Sequence, residues 1–111
     1  MVLTDRDRVI AAAGHDTATL LERPVGQPVL DAMQERQVQR FVGTALARAT
    51  TVVADEHEGL FESEIIVPIV VAGDPVGTLV IASADSRQPV SEVDEKIASA
   101  SAGFLARHLQ E

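Results

Sequence analysis

Short apolar runs separated by polar residues predict two β-hairpins in this chain. Near the N-terminus, residues 2–4 and 9–13 are apolar and flank a short polar connector. In the second half, residues 64–72 and 76–83 are rich in Val and Ile and flank a Gly-Asp-Pro turn at 73–75. Such runs, bounded by turn-forming residues, are typical of paired antiparallel strands. Because the second hairpin is hydrophobic at nearly every position, we expect both faces of its sheet to be covered.

Helical spacing of apolar residues predicts two short helices between the hairpins and a long one at the C-terminus. The short helices are expected at 15–23 and 28–39, the second with proline in its first turn, where proline is well tolerated. The long helix is expected to begin after Ser91, a candidate N-cap whose partner is Asp94. In the first hairpin, we expect Asp5 to accept backbone N–H groups of the connector.

The predicted C-terminal helix carries an apolar stripe, which we expect to cover the sheet: Val93, Ile97, Ala100, Phe104 and Leu105. Small residues fill its other faces, and no charged residue occurs between Ile97 and Ala106. A solvated outer face normally carries charge, so we expect this helix to join two copies of the chain into a dimer, with Ala102 on the outer face. The competing explanation is a helix from a segment before Met1 that covers the same face.

Residues 40–62 allow two interpretations. The helix continues through 45–47, or a strand forms near 50–54, where β-branched residues favour a strand. The acid-rich segment 55–64 that follows is expected to be a surface loop and the lid of any ligand pocket. With these elements, the chain is predicted to be one α+β domain spanning 1–111, an antiparallel sheet flanked by helices.

Composition excludes several classes of function. The 111 residues carry a net charge of −8, which disfavours direct nucleic acid binding because affinity for DNA comes largely from Lys and Arg. The absence of cysteine excludes disulfides and thiol chemistry and fits a reducing, cytoplasmic location. The apolar run at 65–73 is far shorter than the roughly 20 residues that a membrane helix needs, so we expect no membrane association.

No catalytic motif or metal-ligand spacing is visible. The three histidines, His15, His57 and His108, are far apart in the sequence. Phosphate-binding and nucleophile motifs are missing, and the paired carboxylates cluster in one predicted loop. We therefore expect neither enzymatic activity nor a bound cofactor or metal.

Three stretches, in this order, resemble one family of bacterial regulators. They are T-D-R-D with V-I-A-A-A-G within 4–14, V-P-I with G-D-P-V-G-T-L-V within 67–80, and A-G-F-L-A-R at 102–107. The middle stretch resembles the β-hairpin of GAF domains. All three together resemble the C-terminal GAF-like domains of the stage V sporulation protein T family, sporulation regulators with an AbrB-type DNA-binding domain. The resemblance spans nearly the whole chain and is weakest over 44–64.

The resemblance implies a GAF-like fold, of the PAS/GAF type, and a regulatory domain that senses a small molecule and signals to a DNA-binding domain. That module would precede Met1, so we expect this chain to be an isolated sensor domain that does not itself bind DNA. The alternative is a ligand-free dimerisation module of the same regulator. GAF domains that bind bilins or reduce methionine sulfoxide use cysteines, and those that bind cyclic nucleotides use an Asn-Lys-x-Phe-Asp motif. This chain has neither, so its effector stays unidentified.

A ligand pocket is expected between the sheet and the region 28–62, away from the turn at Gly73. Arginine offers a fork of donors to a carboxylate or phosphate, and phenylalanine supplies an apolar wall. The candidate ligand-binding residues are Arg36, Arg40, Phe41, His57, Phe61 and Ser63.

Overall fold

The computed structural model describes residues 1–13, 20–42, 63–83 and 87–109, which form a five-stranded antiparallel sheet with one helix on each face. The strand order is β2-β1-β5-β4-β3. The strands are β1 (Val2–Thr4), β2 (Val9–Ala12), β3 (Gln39–Val42), β4 (Ser63–Val71) and β5 (Asp74–Ser83). The helices are α1 (Gln27–Glu35) and α2 (Glu92–Leu109). No helix in this described part is long and apolar enough to cross a membrane.

Both predicted hairpins are confirmed, but the tight turn of the second lies earlier than expected. Ala72 and Gly73 form a two-residue turn in which both φ angles are positive, 51° and 87°. Positive φ at both positions defines the type I′ turn, whose twist matches that of the flanking strands. The expected turn at 73–75 is therefore wrong in its position, because Asp74 and Pro75 already belong to β5.

The connector of the first hairpin is held by Asp5, as expected. Its Oδ1 accepts the backbone N–H groups of Asp7 and Arg8, each at 2.8 Å. The bonds from Arg8 and then Asp7 lower the pKa of the Asp5 carboxyl below its usual 3.8, because they stabilise the ionised form. The Asp5 side chain thus holds the connector together with the backbone bond from Asp5 N–H to the Arg8 carbonyl.

The α1 face of the sheet carries the first of two cores. Val2, Ile66 and Val80 lie side by side on three neighbouring strands and pack with residues of α1. The α1 residues in this core are Val29, Ala32 and Met33. The second core lies on the opposite face, between the sheet and α2. Coverage of both faces, expected from the continuous hydrophobicity of β4 and β5, is confirmed.

Helix α1 ends earlier than predicted, and an unpredicted strand follows it. Arg36 takes the left-handed conformation with φ 56°, and its N–H and that of Gln37 close the last turn on the carbonyls of Met33 and Ala32. Glycine usually occupies such a position, and because an arginine stands here, no glycine marked the end of the helix. The chain then enters β3, which is defined by its pairing with β4.

The predicted helix at 15–23 is a turn over its described residues. Arg23 N–H donates to the Leu20 carbonyl, and Glu22 has a positive φ of 65°, which ends any helical path. Residues 15–19, the candidate strand near 50–54 and nearly all of the expected lid at 55–64 lie outside the described residues.

Helix α2 begins as predicted but presents the opposite face to the sheet. Ser91 N–H donates to Asp94 Oδ2 at 2.8 Å, and Asp94 N–H reaches Ser91 Oγ at 3.4 Å, which is a capping box. The residues packed on the sheet include Ala98 and Ala102. Three large members of the predicted stripe face outward, with exposed fractions of 63% for Val93, 50% for Ile97 and 54% for Phe104. The fourth, Leu105, is partly buried and packs against the sheet core as expected.

The physical reason for this reversal is the distance between helix and sheet. Alanines let the helix backbone lie close to the strands, and the bulk of the core comes from the sheet side chains Ile65, Val67 and Leu79. The expectation that Ala102 lies on the outer face is therefore wrong.

Candidate functional site

The six candidate ligand-binding residues do not form one cluster within the described part of the chain. Arg36, Arg40, Phe41 and Ser63 are described, whereas His57 and Phe61 lie outside the described residues. The four described residues occupy three different places: the β4–β5 turn and the two faces of the sheet.

Arg36 lies beside the β4–β5 turn. Its Nε donates to the carbonyl oxygen of Gly73 at 2.9 Å, and its side chain is exposed. The contact joins the C-terminal end of α1 to the turn. Arg36 thus occupies the end of the molecule that the pocket was expected to avoid.

Arg40 and Ser63 lie on the α2 face and contact the segment that leads into α2. Ser63 Oγ accepts the backbone N–H of Val90 at 2.8 Å, and Arg40 Nη2 reaches the Val90 carbonyl oxygen at 3.5 Å. Ser63 and Val90 are buried. Both polar side chains therefore hold the segment that leads into α2. This structural role accounts for an arginine and a serine at these two positions.

Phe41 lies on the opposite face and points toward the α1 core. It is half-buried and packs against that core. In the sheet register Phe41 pairs with Glu64 on β4, and Glu64 pairs with Ala82 on β5. These three residues form a row across three strands, which we call the Phe41–Glu64–Ala82 row.

Glu64 is the functional candidate that sequence reasoning missed. Its side chain is only 1% exposed. Glu64 lies two residues before buried Ile66 on β4, and residues two apart on a strand share a face, so Glu64 faces the α1 core. Among the charged side chains that the structure describes, it alone is fully buried. Glu64 belongs both to the acid-rich segment 55–64 and to the predicted strand 64–72, and its place at the start of that apolar run is the signal that could have indicated its burial.

The row lies where the chain leaves the sheet and returns to it. Val42 ends β3 and pairs with Ser63, which begins β4, so the connection 43–62 starts and finishes beside Phe41 and Glu64. Burial of a carboxylate is costly in an apolar setting unless a hydrogen bond or a positive charge compensates it. This end of the α1 face therefore combines an aromatic surface, a small residue and a buried acid.

Two open grooves lie elsewhere on the described surface. One, of about 360 Å³, is next to the β4–β5 turn and is lined by Arg6, Leu30, Met33, Asp74 and Pro75. The other, of about 390 Å³, runs along α2 and includes Met1, Leu79, Ser101, Phe104 and Leu105. Within the described ranges, no three His, Asp or Glu side chains come together as a set of metal ligands.

Solved structures of GAF-type domains share this architecture. A type II free methionine-R-sulfoxide reductase from Thermoplasma acidophilum is similar with a TM-score of 0.71 and 18% identity, over 96% of this chain and 74% of the other. A solved GAF domain is similar with a TM-score of 0.65 and 17% identity, over 95% of this chain and 60% of the other. At these identities the likeness shows the fold alone, and the expected GAF-like fold is confirmed.

Sequence comparison gives a closer relation. Stage V sporulation protein T of Bacillus subtilis (strain 168) is 32% identical over all 111 residues of this chain, which span 59% of that relative's length. The family model for the Stage V sporulation protein T C-terminal, transcription factor, matches residues 1–110. The chain therefore belongs to the Stage V sporulation protein T C-terminal family of transcription-factor domains.

Proposed function

We propose that this chain is the small-molecule-sensing domain of a transcription factor. The family supports a regulatory role in transcription, and the fold is that of GAF domains. The observation that carries the proposal is the buried Glu64 in the Phe41–Glu64–Ala82 row. A fully buried acid on a core-facing strand is a candidate binding group, because glutamate is rarely found fully buried in a core.

The position of the Phe41–Glu64–Ala82 row provides a way for ligand binding to change the conformation of the domain. A ligand there contacts β3 and β4 at the two ends of the connection 43–62. A ligand changes the state of a protein only when it binds one conformation better than another. A ligand held at this row stabilises one arrangement of the strand ends, which α1 and the neighbouring segments then transmit to the rest of the transcription factor.

A thermal-shift screen of the purified chain with a metabolite library tests this proposal. Binding to the folded state raises Tm in proportion to the logarithm of ligand concentration once the site is saturated. We expect at least one metabolite to raise Tm with this dependence. Native mass spectrometry of freshly purified protein is the parallel test for a ligand that co-purifies. A library in which no compound raises Tm, with no co-purified mass, contradicts the proposal.

A second candidate function, dimerisation of the regulator, is supported by the outer face of α2. Val93, Ile97 and Phe104 are all at least half exposed and are spaced four and seven residues apart, so they share one face of the helix. We call this the α2 stripe. It extends over about 16 Å of helix at 1.5 Å per residue. A second copy of the chain, related by a two-fold axis, covers this stripe with its own.

Light scattering on the wild-type chain and on matched variants tests dimerisation. We expect a dimer at about 100 µM protein, a concentration well above a micromolar Kd. Ile97→Glu places a charge in the α2 stripe and should give a monomer that remains folded. Ser99→Glu is the control, because Ser99 is exposed on another face of the same helix. A wild-type monomer at this concentration, or a dimer that survives Ile97→Glu, rules out this interface.

A further inference from the structure

The open groove beside the β4–β5 turn combines two opposite charges with an apolar wall. It has a volume of about 360 Å³ and is lined by Arg6, Leu30, Met33, Asp74 and Pro75. Leu30 and Met33 lie three residues apart on α1, so they share one face of that helix. Leu30 is 40% exposed, which leaves apolar surface at the groove for a ligand to cover.

A β-bulge places Pro75 in this groove. Between the pairs Ile69–Gly77 and Val70–Pro75, β5 contains one additional residue, Val76. Val76 packs against the core on the α2 face, and the extra residue turns Pro75 to the α1 face, beside the side chains of α1. Bulges redirect side chains in this way and are frequent next to functional sites. Pro75 thus extends the apolar wall that α1 begins.

Arg6 is held at the groove by one hydrogen bond that leaves its terminal nitrogens available. Its Nε donates to the carbonyl oxygen of Pro75 at 2.8 Å. Within the described ranges, neither Nη1 nor Nη2 of Arg6 has a hydrogen-bond or ion-pair partner. These two nitrogens of a guanidinium match the two oxygens of a carboxylate and bind it through parallel hydrogen bonds. Arg6 is therefore positioned to bind an anionic group of a ligand.

Asp74 supplies the opposite charge and is not neutralised by Arg6. Its side chain is exposed, and its carboxylate has no hydrogen bond or ion pair with any residue that the structure describes. Two opposite charges that line one groove without pairing with each other are both available to a ligand. A ligand that carries a carboxylate and an ammonium group complements them, and a groove of this volume lies within the usual range of small-molecule sites.

We propose that this groove binds a free α-amino acid with an apolar side chain. The carboxylate of the ligand bonds to the Arg6 guanidinium, its ammonium group bonds to the Asp74 carboxylate, and its side chain packs on Leu30 and Pro75. One exposed ion pair contributes little to affinity, so the proposal requires all three contacts together. We expect a Kd on the order of 1 mM. The competing explanation is a solvated groove that binds no ligand.

This site is separate from the Phe41–Glu64–Ala82 row, and the inference goes beyond the proposed sensing function. The row crosses β4 and β5 near one end, whereas Asp74 and Pro75 lie beside the turn at the other end. The sequence predicted any ligand away from this turn, because Arg6 and Asp74 are distant along the chain and meet only in the fold.

Matched ligands test the proposal on the wild-type chain. L-leucine and L-phenylalanine carry all three groups, and glycine lacks the apolar side chain. For leucine, 4-methylpentanoate lacks the ammonium group and isopentylamine lacks the carboxylate; 3-phenylpropanoate and 2-phenylethylamine are the corresponding analogues of phenylalanine. We expect at least one of the two amino acids to bind with a millimolar Kd. Glycine and both analogues of that amino acid should bind more weakly by about fivefold or more.

An NMR titration that follows the backbone amides measures these Kd values and locates the site. We expect the largest shifts in residues 5–7, 29–34 and 73–76. No binding of either amino acid, or an analogue that binds as tightly as its amino acid, overturns the proposal. Shifts confined to 39–42 and 63–66 place the ligand at the Phe41–Glu64–Ala82 row, which overturns the groove site and supports the sensing proposal.

Variants of the two charged residues test their roles, each with a matched control. We expect Arg6→Gln and Asp74→Asn to weaken amino acid binding by about fivefold or more. Arg8→Gln is the control from the same connector, because Arg8 Nη1 donates to the Glu22 carbonyl and Arg8 does not line the groove. Asp31→Asn is the control on α1, where Asp31 accepts a bond from Gln27. Unchanged affinity in Arg6→Gln or Asp74→Asn overturns the proposal.

The Asp74→Asn variant keeps the test decisive even if Arg6→Gln loosens the turn and does not fold. Asp74 is exposed, so the substitution is expected to leave the fold intact. If Asp74 binds the ammonium group, Asp74→Asn weakens the binding of the amino acid but not that of its analogue without an ammonium group. An equal loss for the amino acid and this analogue assigns Asp74 a structural role and overturns the proposal.

Discussion

Gly77 is required at its position because β1 and β5 approach closely there. A Cβ atom at residue 77 would lie 2.0 Å from the backbone oxygen of Thr4. The neighbouring hydroxyls reinforce this approach, since Thr4 Oγ1 and Thr78 Oγ1 form a buried hydrogen bond of 2.8 Å. The contact is with backbone, so it cannot be relieved by moving a flexible side chain.

We therefore expect Gly77→Ala to lower the free energy of unfolding by about 2–3 kcal/mol, the upper part of the range for overpacked sites. Denaturant unfolding monitored by circular dichroism measures the change. Gly103→Ala is the matched control, because a Cβ there meets nothing within 4 Å and alanine favours the helix. It should be neutral or stabilising, and equal losses in both variants contradict the close approach.

Ala72 occupies a backbone conformation that alanine disfavours. Its φ of 51° is left-handed, and type I′ turns prefer Asn-Gly at these two positions. We expect Ala72→Asn to stabilise the chain by about 0.5–1 kcal/mol, since asparagine tolerates this conformation better. Ala72→Val should destabilise, because β-branched residues resist positive φ. Thermal unfolding measures both, and a shift of the same sign in the two variants contradicts this explanation.

Asp5 makes the stability of the first hairpin depend on pH. Its folded pKa lies below the unfolded value of 3.8, so its contribution is present above that value and is lost as pH falls through the folded pKa. We expect Asp5→Ala to cost about 1 kcal/mol at neutral pH, as for other side-chain caps. The difference in stability between variant and wild type should narrow as the pH falls below 3.8 toward the folded pKa. Urea unfolding at pH 7 and at pH 3 measures the free energy of unfolding of both chains. A difference between them that does not change with pH contradicts the proposed role of the Asp5 carboxylate.

At the scale of elements, α2 shows how packing distance selects the buried face. The sequence pattern favoured the large side chains as the buried face, whereas the structure buries Ala98 and Ala102. Two α2 faces therefore have different roles. The alanine face holds the helix on the sheet, and the α2 stripe is left for a partner.

This assignment predicts a large effect at Ala102. We expect Ala102→Glu to lower the free energy of unfolding by about 3 kcal/mol or more, because it places a charge in a closely packed core. Ser99→Glu, on an exposed face of the same helix, should change it by less than about 0.5 kcal/mol. Chemical denaturation of the two variants decides the matter. An Ala102→Glu chain of wild-type stability contradicts the orientation of α2.

At the scale of the whole molecule, charge governs the interaction with nucleic acid. The net charge of −8 opposes approach to a polyanion, and several of the described arginines bond to backbone carbonyls of the chain itself. We expect this chain alone to show no duplex DNA binding at about 150 mM salt. Fluorescence anisotropy at micromolar protein measures this, with a low-salt titration as the internal control. A salt-dependent rise in anisotropy contradicts it.

Local sequence patterns were sufficient to predict the hairpins, the N-terminal cap of α2 and the coverage of both sheet faces. These features depend on residues that are neighbours in the sequence, such as Ser91 with Asp94 or the runs on either side of Ala72 and Gly73. The resemblance of three short stretches to one family was sufficient to identify that family and its fold. The candidate site was anticipated only in part, at Phe41.

The local elements and the family could therefore be predicted from the sequence, because they depend on hydrogen bonds between near neighbours and on the period of hydrophobic positions. Three features could be found only in the folded chain: the strand β3, the orientation of α2 and the burial of Glu64. Each depends on partners distant in the sequence. β3 exists through its pairing with β4, and α2 turns its alanines inward because the sheet supplies the bulk. Glu64 faces the core because the register of three strands fixes its side.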